Sequence, residues 1–205
     1  AHARAARPPA GAPLRVLMDI AGPKVRTGDV RTPPDRRRVY PGDEILLCRS
    51  IAAEGDAAPF AVTCTEPAVL GRIGVGTAVS IDDGALHGTI VAAGQDGFRI
   101  RIERGKTGGV KLKAEKGLNF PDTELGLDPL TDKDREDLDF IVGHADLVGY
   151  SFVETADHVA ALQAALARRS RAWRSIPLVG KIETPRAVRN LPEIIVEAAG
   201  RQPFA

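Results

Sequence analysis

The feature of this sequence that most constrains its fold is a change of pattern near Gly117. From about Thr27 to Lys116 the chain consists of short β-like runs that are separated by glycine, proline and aspartate. After Gly117, segments of helical and of strand character alternate. Closely spaced strands predict a small antiparallel barrel or sandwich, whereas alternating strands and helices predict a parallel sheet. The sequence therefore combines an all-β part with an α/β part.

The predicted strands fall into two groups. Those of the β-rich part are residues 44–49, 60–64, 78–81, 86–92, 98–103 and 110–113. Those of the α/β part are residues 14–20, 145–152 and 176–183, and they alternate with predicted helices at 131–142, at 155–169 and from Thr184 onward. Asp82-Asp83-Gly84 lies between two predicted strands and is typical of a hairpin turn. Because three parallel strands are too few to stand alone, we expect the α/β part to belong to a longer barrel.

The composition excludes several classes of function. Lys and Arg number 28 against 27 Asp and Glu, a net charge of +1, and aromatic residues are only 4%. A nucleic-acid partner is therefore not expected, because the chain has neither a strong positive charge nor aromatic side chains on which bases could stack. A membrane is not expected either, because no apolar run approaches the roughly 20 residues that span a bilayer. Cys48 and Cys64 lie in apolar stretches without metal-ligand spacing, which favours a reducing, cytoplasmic compartment. The basic runs, Arg36 to Arg38 and Lys106 to Lys116, are interpreted as mainly solvated surface.

Polar residues end each predicted strand of the α/β part. Asp19 belongs to the first strand, Ser151 to the second, and Lys181 and Glu183 to the third. Sites in α/β proteins are built at the carboxyl ends of parallel strands. Lys181 and Glu183 would point the same way, because they are two residues apart. They form either an anion clamp beside a metal ligand or a structural ion pair, and the pattern alone leaves both alternatives open.

Ordered motifs link this sequence to a known family. They are Asp19-Ile-Ala-Gly-Pro-Lys-Val-Arg-Thr-Gly28, Ile81-Asp-Asp-Gly84, Lys116-Gly-Leu-Asn-Phe-Pro121, Leu130-Thr-Asp-Lys-Asp134, Ser151-Phe-Val153 and Lys181-Ile-Glu183. Their order and intervals resemble those of pyruvate kinases over nearly the whole chain from about Leu14. The resemblance implies an α/β fold: a partial (β/α)8 barrel, residues 1–26 and 117–205, with a small all-β barrel lid inserted at residues 27–116. It assigns the three parallel strands to barrel strands two to four, with the first strand and strands five to eight outside these residues.

The same resemblance implies a phosphotransferase of glycolysis, which moves the phosphoryl group of phosphoenolpyruvate to ADP and gives pyruvate and ATP. Lys181 matches the family's lysine that contacts the phosphoryl group and the enolate oxygen, and Ser151 lies near the substrate pocket. Glu183 matches a carboxylate ligand of Mg²⁺, for which Mn²⁺ is an alternative. A hard cation with few protein ligands, completed by substrate oxygens and water, suits that role.

The resemblance also assigns roles at the lid and at a second cation site. Arg26 and Lys116 match contacts to the nucleotide phosphates, and Asp83 resembles a lid acid that closes over the site. Asp19 matches a ligand of the monovalent cation that most of the family binds. Lys24 stands where K⁺-dependent members carry Glu, so that its ammonium would fill this site and K⁺ would not be required.

Departures from the family pattern leave alternatives open. Glu154 stands where these enzymes usually carry Arg, and Ile20 replaces a common Thr. The alternatives are a non-catalytic regulatory relative and a Mg²⁺-dependent aldolase or lyase of the same barrel type, although aldol chemistry needs no nucleotide lid. We expect the 205-residue chain alone to be an incomplete, inactive part of a cytoplasmic enzyme. The resemblance further implies a homo-oligomer, which is a tetramer in the family.

Overall fold

The computed structural model describes residues 14–51 and 59–205 of the chain. Within these residues, packing divides the chain into two compact units. The α/β unit comprises the residues up to Pro23 together with Leu127–Ala205, and the β unit is Lys24–Gly126. In the described part of the chain, no helix is both long enough and apolar enough to cross a membrane.

The strands and helices are named in chain order. The strands are β1 (Leu17–Ile20), β2 (Thr27–Arg31), β3 (Arg38–Val39), β4 (Glu44–Leu47), β5 (Phe60–Cys64), β6 (Ala78–Ile81), β7 (Leu86–Gly94), β8 (Gly97–Gly105), β9 (Val110–Lys111), β10 (Leu118–Asn119), β11 (Leu147–Tyr150) and β12 (Leu178–Gly180). The helices are α1 (Asp132–His144), α2 (Ala156–Ala167), α3 (Pro185–Arg189) and α4 (Leu191–Ala199). Short 3₁₀ turns lie at Pro67–Gly71 and Trp173–Ser175.

The sheet of the α/β unit is parallel, with the strand order β1-β11-β12. Asp19 lies opposite Gly149, and Tyr150 lies opposite Gly180, so the carboxyl ends of the three strands are level. Parallel neighbours need a crossover connection, and α2 provides it between β11 and β12. On the other side of β12, the Gly180 N–H donates to the carbonyl of Ala205 at 2.8 Å. Both edges of β12 are thus paired.

Side-chain caps start three of the helices in this unit. The hydroxyl oxygens of Thr131, Thr155 and Thr184 each accept a hydrogen bond from the N–H three residues further along. Each cap satisfies one of the donors that the first helical turn leaves open. The helices and the sheet share one buried core, formed by Ile20, Val148 and Tyr150 with Leu138, Ile141, Val159, Leu162, Leu178 and Ile194 among others.

The sheet of the β unit is mixed, with the strand order β10-β6-β7-β8-β4-β5-β2. Its two end strands meet, because Arg26 and Gly117 form an antiparallel bridge next to them. The Thr27 N–H also donates to the carbonyl of Lys116 at 2.7 Å. The sheet therefore curls into a nearly closed barrel, which leaves little free strand edge. A separate two-stranded ladder joins β3 to β9.

The division into an all-β part and an α/β part is confirmed, with differences in detail. The barrel is mixed rather than antiparallel, because β4 and β5 run in parallel. The predicted strands of the α/β unit are too long: the sheet pairing begins later than predicted in all three, and Ser151, Lys181 and Glu183 lie beyond the strand ends, whereas Asp19 stays within β1. The hairpin turn is confirmed: the Ala85 N–H donates to the Asp82 carbonyl at 3.0 Å, and φ is +52° at Asp83 and +86° at Gly84. The bounds given for the two domains stay a prediction.

Candidate functional site

Three side chains of the α/β unit meet at the carboxyl ends of its strands. One carboxylate oxygen of Asp19, Oδ2, accepts a hydrogen bond from the Ser151 hydroxyl at 2.8 Å. The same oxygen lies 3.0 Å from the ammonium nitrogen of Lys181. Asp19 is in β1, and the other two residues directly follow β11 and β12, so the level strand ends bring them together. Among the described residues, the ion pair of Lys181 is with Asp19 and not with Glu183.

Glu183 lies in the same region of the chain but makes a different contact. Its Oε2 accepts a hydrogen bond from the backbone N–H of Phe152 at 2.9 Å. Phe152 has a φ of +54°, in the left-handed region, which costs a residue other than glycine roughly 1–2 kcal/mol. The hydrogen bond offsets part of this cost. It also fixes the carboxylate of Glu183 relative to Ser151, the neighbour of Phe152.

Two glycines make room for this cluster. A side-chain carbon at Gly149 would lie 2.5 Å from Oδ1 of Asp19, closer than the two atoms can approach. At Gly22 the φ is +64°, and a side-chain carbon there would lie 2.8 Å from the carbonyl oxygen of Ser151. A larger residue at either position would therefore displace Asp19 or the turn that carries Ser151. No local pattern in the sequence indicates this role of Gly149.

A buried carboxylate holds the turn after Asp19, a role that was not predicted from the sequence. Asp134 is only 2% exposed. Its Oδ1 accepts a hydrogen bond from the Ala21 N–H at 3.1 Å. Its Oδ2 accepts from the N–H and the hydroxyl of Thr131, at 2.9 and 2.7 Å. The spacing of Thr131 and Asp134 is a signal for a reciprocal capping box, but it does not reveal that the second oxygen reaches Ala21.

Tyr150, the residue before Ser151, anchors the end of β11 in the core. Its side chain is fully buried, and its hydroxyl donates to the carbonyl of Pro129 at 2.7 Å. Burial raises the pKa of this hydroxyl far above its usual range, and the carboxylates of Asp134 and Asp128 add to the effect. The hydroxyl therefore stays protonated and keeps its role as a donor.

Glu154, the charge reversal noted in the sequence, has a partner within the α/β unit. Its Oε2 lies 3.8 Å from Nη1 of Arg186. Its carbonyl accepts a hydrogen bond from Nδ2 of Asn190 at 2.9 Å, and its N–H donates to Nδ1 of His158 at 3.3 Å. Burial lowers the pKa of His158, and the neutral ring is the form that can accept this bond. These contacts tie the loop after β11 to the helices after β12.

The predicted nucleotide contacts lie in the β unit, where β2 and β10 meet. The ammonium of Lys116 pairs with Oδ1 of Asp82 at 2.8 Å. Nη1 of Arg26 donates to the carbonyl of Glu115 at 3.1 Å. Because Arg26 also bridges Gly117, both cations are held beside the closure of the barrel.

Asp83 and Lys24 approach the backbone at that same closure. Oδ1 of Asp83 lies 3.3 Å from the point where a side chain at Gly117 would begin, and Cε of Lys24 lies 3.6 Å from it. The absence of a side chain at Gly117 therefore allows Asp83 and Lys24 to lie close to the backbone of this residue. The structure thus brings together the predicted residues Arg26, Lys116 and Asp83 at one end of the barrel, with Lys24 beside them.

The residues present could hold Mg²⁺ only if oxygen atoms of a substrate completed the coordination of the ion. In the described residues, no group of three or more His, Cys, Asp and Glu side chains is placed to hold a metal ion. Mg²⁺ is commonly bound through one or two carboxylates, with water and substrate oxygens as the other ligands. Glu183 supplies one hard oxygen donor, whose carboxylate is fixed by the Phe152 N–H. The oxygen of Asp19 that faces the site already contacts Lys181 and Ser151.

The fold and the site define an α/β protein that carries a β-barrel insertion and a charged cluster at its parallel strand ends. A family model described as "Pyruvate kinase, barrel domain" matches residues 1–201. The chain belongs to the pyruvate kinase family, and the resemblance found in its motifs is confirmed.

Individual relatives agree with this family. Human pyruvate kinase PKLR is 30% identical over 190 residues, which are 92% of this chain and 32% of that protein. The pyruvate kinase of Agaricus bisporus is 31% identical over 197 residues, 94% of this chain and 35% of the relative. The pyruvate kinase of Encephalitozoon cuniculi is 31% identical over 198 residues, which are 96% of this chain and 42% of the relative. The chain thus spans about a third of the length of the first two curated relatives and 42% of the third.

Proposed function

We propose that the protein containing this chain is a pyruvate kinase-type phosphotransferase, which transfers the phosphoryl group of phosphoenolpyruvate to ADP. The observation that carries the proposal is the meeting of Lys181, Asp19 and Ser151 at the carboxyl ends of parallel strands. A lysine held in place by a carboxylate is suited to a substrate that is a polyanion. Membership of the pyruvate kinase family identifies phosphoenolpyruvate and ADP as the substrates to test.

Lys181 is the proposed catalytic residue. In the reaction, the bond between phosphorus and the enol oxygen of phosphoenolpyruvate breaks, and a terminal oxygen of ADP forms the new bond to phosphorus. The enolate that remains takes up a proton on carbon and becomes pyruvate. A fixed positive charge lowers the barrier, because negative charge develops on the transferred group and on the enolate oxygen. Asp19 fixes the Lys181 ammonium from 3.0 Å, and the Ser151 hydroxyl lies beside them.

Glu183 is the residue of this cluster that would hold Mg²⁺, with Mn²⁺ as an alternative. When bound, the ion would act as a Lewis acid that neutralises negative charge on the substrate. The Phe152 N–H keeps the Glu183 carboxylate in a fixed orientation, so little reorganisation is needed on binding. In the proposed enzyme, Lys181 and Glu183 therefore have separate roles, as fixed charge and as metal ligand.

We also propose that residues 1–26 and 117–205 form part of a (β/α)8 barrel and that residues 27–116 are its lid. The parallel order of β1, β11 and β12 supports this architecture. So does the parallel bridge of Phe204 to Leu178, because it continues the sheet in the same direction beyond β12. The nearly closed β barrel is consistent with a lid that folds as its own unit.

Arg26 and Lys116, where the lid meets the barrel, and the lid residue Asp83 are proposed to contact the nucleotide. Arg26 and Lys116 would bind phosphate oxygens, for which an arginine fork and a lysine point charge are well suited. The support is their location at one end of the barrel, around the backbone of Gly117. Lys116 would have to exchange its present contact with Asp82 for the phosphate.

For the monovalent cation, we propose that Lys24 supplies the positive charge that K⁺ supplies in other members. The support for this assignment is that Lys24 stands where K⁺-dependent members carry Glu. The enzyme should then be equally active in Na⁺, K⁺ or a bulky organic cation, whereas Lys24→Glu should create a K⁺ requirement. Strong activation of the unmutated enzyme by K⁺ at constant ionic strength would contradict this assignment.

The activity is proposed for the whole protein rather than for the 205-residue chain by itself. The support is that the chain spans only about a third to two fifths of its relatives. We expect the purified chain to turn over no faster than its Lys181→Ala variant. A homo-oligomer and a cytoplasmic location are further expectations for the whole protein, and the free cysteines Cys48 and Cys64 agree with a reducing compartment.

Coupled turnover by the complete protein tests the proposed function. Pyruvate formation that requires both phosphoenolpyruvate and ADP, together with Mg²⁺, supports the kinase. Pyruvate released from an aldol substrate without a nucleotide would instead identify a lyase. Substrate binding without any turnover would identify a regulatory relative. The structure favours the kinase over the last alternative, because Arg186 compensates the reversed charge of Glu154.

A further inference from the structure

A basic pocket lies on the β unit, and its lining does not include the residues assigned to the nucleotide. It is a cavity of about 270 Å³ that is lined by Val30, Thr32, Pro33, Pro34, Arg37, Lys111 and Leu112. At about 30 Å³ per water molecule, it has room for roughly nine waters, enough for a small metabolite. None of these lining residues is acidic.

The pocket joins two basic runs that are far apart in the sequence. The ladder between β3 and β9 pairs Arg38 with Lys111, so the run Arg36 to Arg38 lies beside the start of β9. Like charges that are brought together in this way repel each other, unless an anion lies between them. From the sequence, both runs were interpreted as mainly solvated surface. In the structure, Arg37 from one run and Lys111 from the other line the same pocket.

The arginines on either side of Arg37 already have partners. Arg36 makes a bidentate contact with Asp43, at 2.9 and 3.0 Å, and Arg38 donates to the carbonyl of Gly109 at 2.8 Å. In the described part of the chain, neither Arg37 nor Lys111 has an acidic partner within ion-pair distance. The two exposed cations that line the pocket are therefore available to a ligand.

We propose that this pocket binds a small phosphate-bearing anion. Arg37 presents a planar fork that matches two phosphate oxygens, and Lys111 adds a point charge. The Thr32 hydroxyl is a further donor at the wall, and Pro33 and Pro34 restrict the backbone that forms it. Val30 and Leu112 give the pocket an apolar part, which suits an organic phosphate better than the bare ion. All the lining residues belong to the β unit, and the proposal goes beyond the proposed phosphotransfer.

Isothermal titration of the complete protein tests the proposal, with glycerol 3-phosphate and inorganic phosphate as probes and with chloride setting a constant ionic strength. Arg37→Gln and Lys111→Gln should each weaken binding by ten-fold or more, since ten-fold corresponds to about 1.4 kcal/mol and each variant removes a charged donor to the phosphate. Arg104→Gln, which removes an exposed charge of β8 in the same unit, is the matched control and should leave the affinity unchanged. Tighter binding of glycerol 3-phosphate than of phosphate would identify an organic phosphate, and equal binding would identify the free ion.

Further variants separate the pocket from folding and from the catalytic site. Lys111→Arg keeps the positive charge and should bind the probes as tightly as the unmutated protein does. A loss of affinity in this variant as well would show that substitutions at position 111 act through misfolding rather than through loss of the charge. Lys181→Met should retain the pocket's affinity even if phosphotransfer is abolished or was never present. The proposal is wrong if neither probe binds, or if Arg37→Gln and Lys111→Gln bind as tightly as Arg104→Gln.

Discussion

Replacing Asp134 by alanine should destabilise the α/β unit more than almost any other change of a polar residue. The side chain is 2% exposed and accepts hydrogen bonds from the Ala21 N–H, the Thr131 N–H and the Thr131 hydroxyl. Hydrogen bonds to a charged group contribute about 1.5–3 kcal/mol each, and a buried donor that is left unpaired costs about 1–3 kcal/mol. These effects are not additive, so we expect a loss of about 3–5 kcal/mol, as for a broken buried ion pair.

Urea unfolding followed by circular dichroism measures this loss as a shift of the midpoint at constant slope. Asp137→Ala is the matched control, because Asp137 lies on the same helix and, among the described residues, makes an exposed pair with Lys133. Such pairs contribute about 0.3–0.5 kcal/mol. Asp134→Asn keeps one acceptor oxygen and should fall between the two. If Asp134→Ala shifts the midpoint no further than Asp137→Ala, the assigned role of Asp134 is wrong.

Three further predictions concern residues of the α/β unit. Gly149→Ala should move Asp19, whose Oδ1 would lie 2.5 Å from the new carbon, and activity should fall while the fold persists; unchanged kinetics would argue against this packing. Glu154→Arg should lower the thermal midpoint through repulsion by Arg186, and adding Arg186→Glu should restore most of the loss, so a double variant no better than the single one would refute the pairing. Because burial lowers the pKa of His158 in the folded state, the unfolded chain binds the proton more readily, and stability should fall as the pH drops below about 6.5. His158→Gln should flatten this dependence, and an unchanged pH profile would contradict it.

Much of the fold follows from local patterns in the sequence. The hairpin at Asp83-Gly84 is predictable because both residues tolerate a positive φ. The helix starts at Thr131 and Thr184 follow from their ability to cap. The closure of the β barrel is not predictable in this way, because it depends on contacts of Arg26 with Gly117, which are far apart in the chain.

The candidate site shows the same limit. Polar residues at strand ends identify Asp19, Ser151 and Lys181 from the sequence, and parallel register explains why they meet. The sequence does not decide which carboxylate pairs with Lys181, since that depends on how the chain turns after β12 ends. The role of Asp134 is also hidden, because its contact with Ala21 spans 113 positions.

The central claim is that Lys181 acts as a fixed charge during phosphoryl transfer, and Lys181→Met in the complete protein tests it most directly. Steady-state kinetics with phosphoenolpyruvate and ADP should show kcat reduced by roughly 10²–10³, with a much smaller change in KM. Lys133→Met, which removes an exposed lysine of the same unit, is the control and should keep full activity. The thermal midpoints of both variants should stay close to that of the unmutated protein. A Lys181→Met variant that keeps its turnover and loses stability would contradict the account, because Lys181 would then be only the structural partner of Asp19.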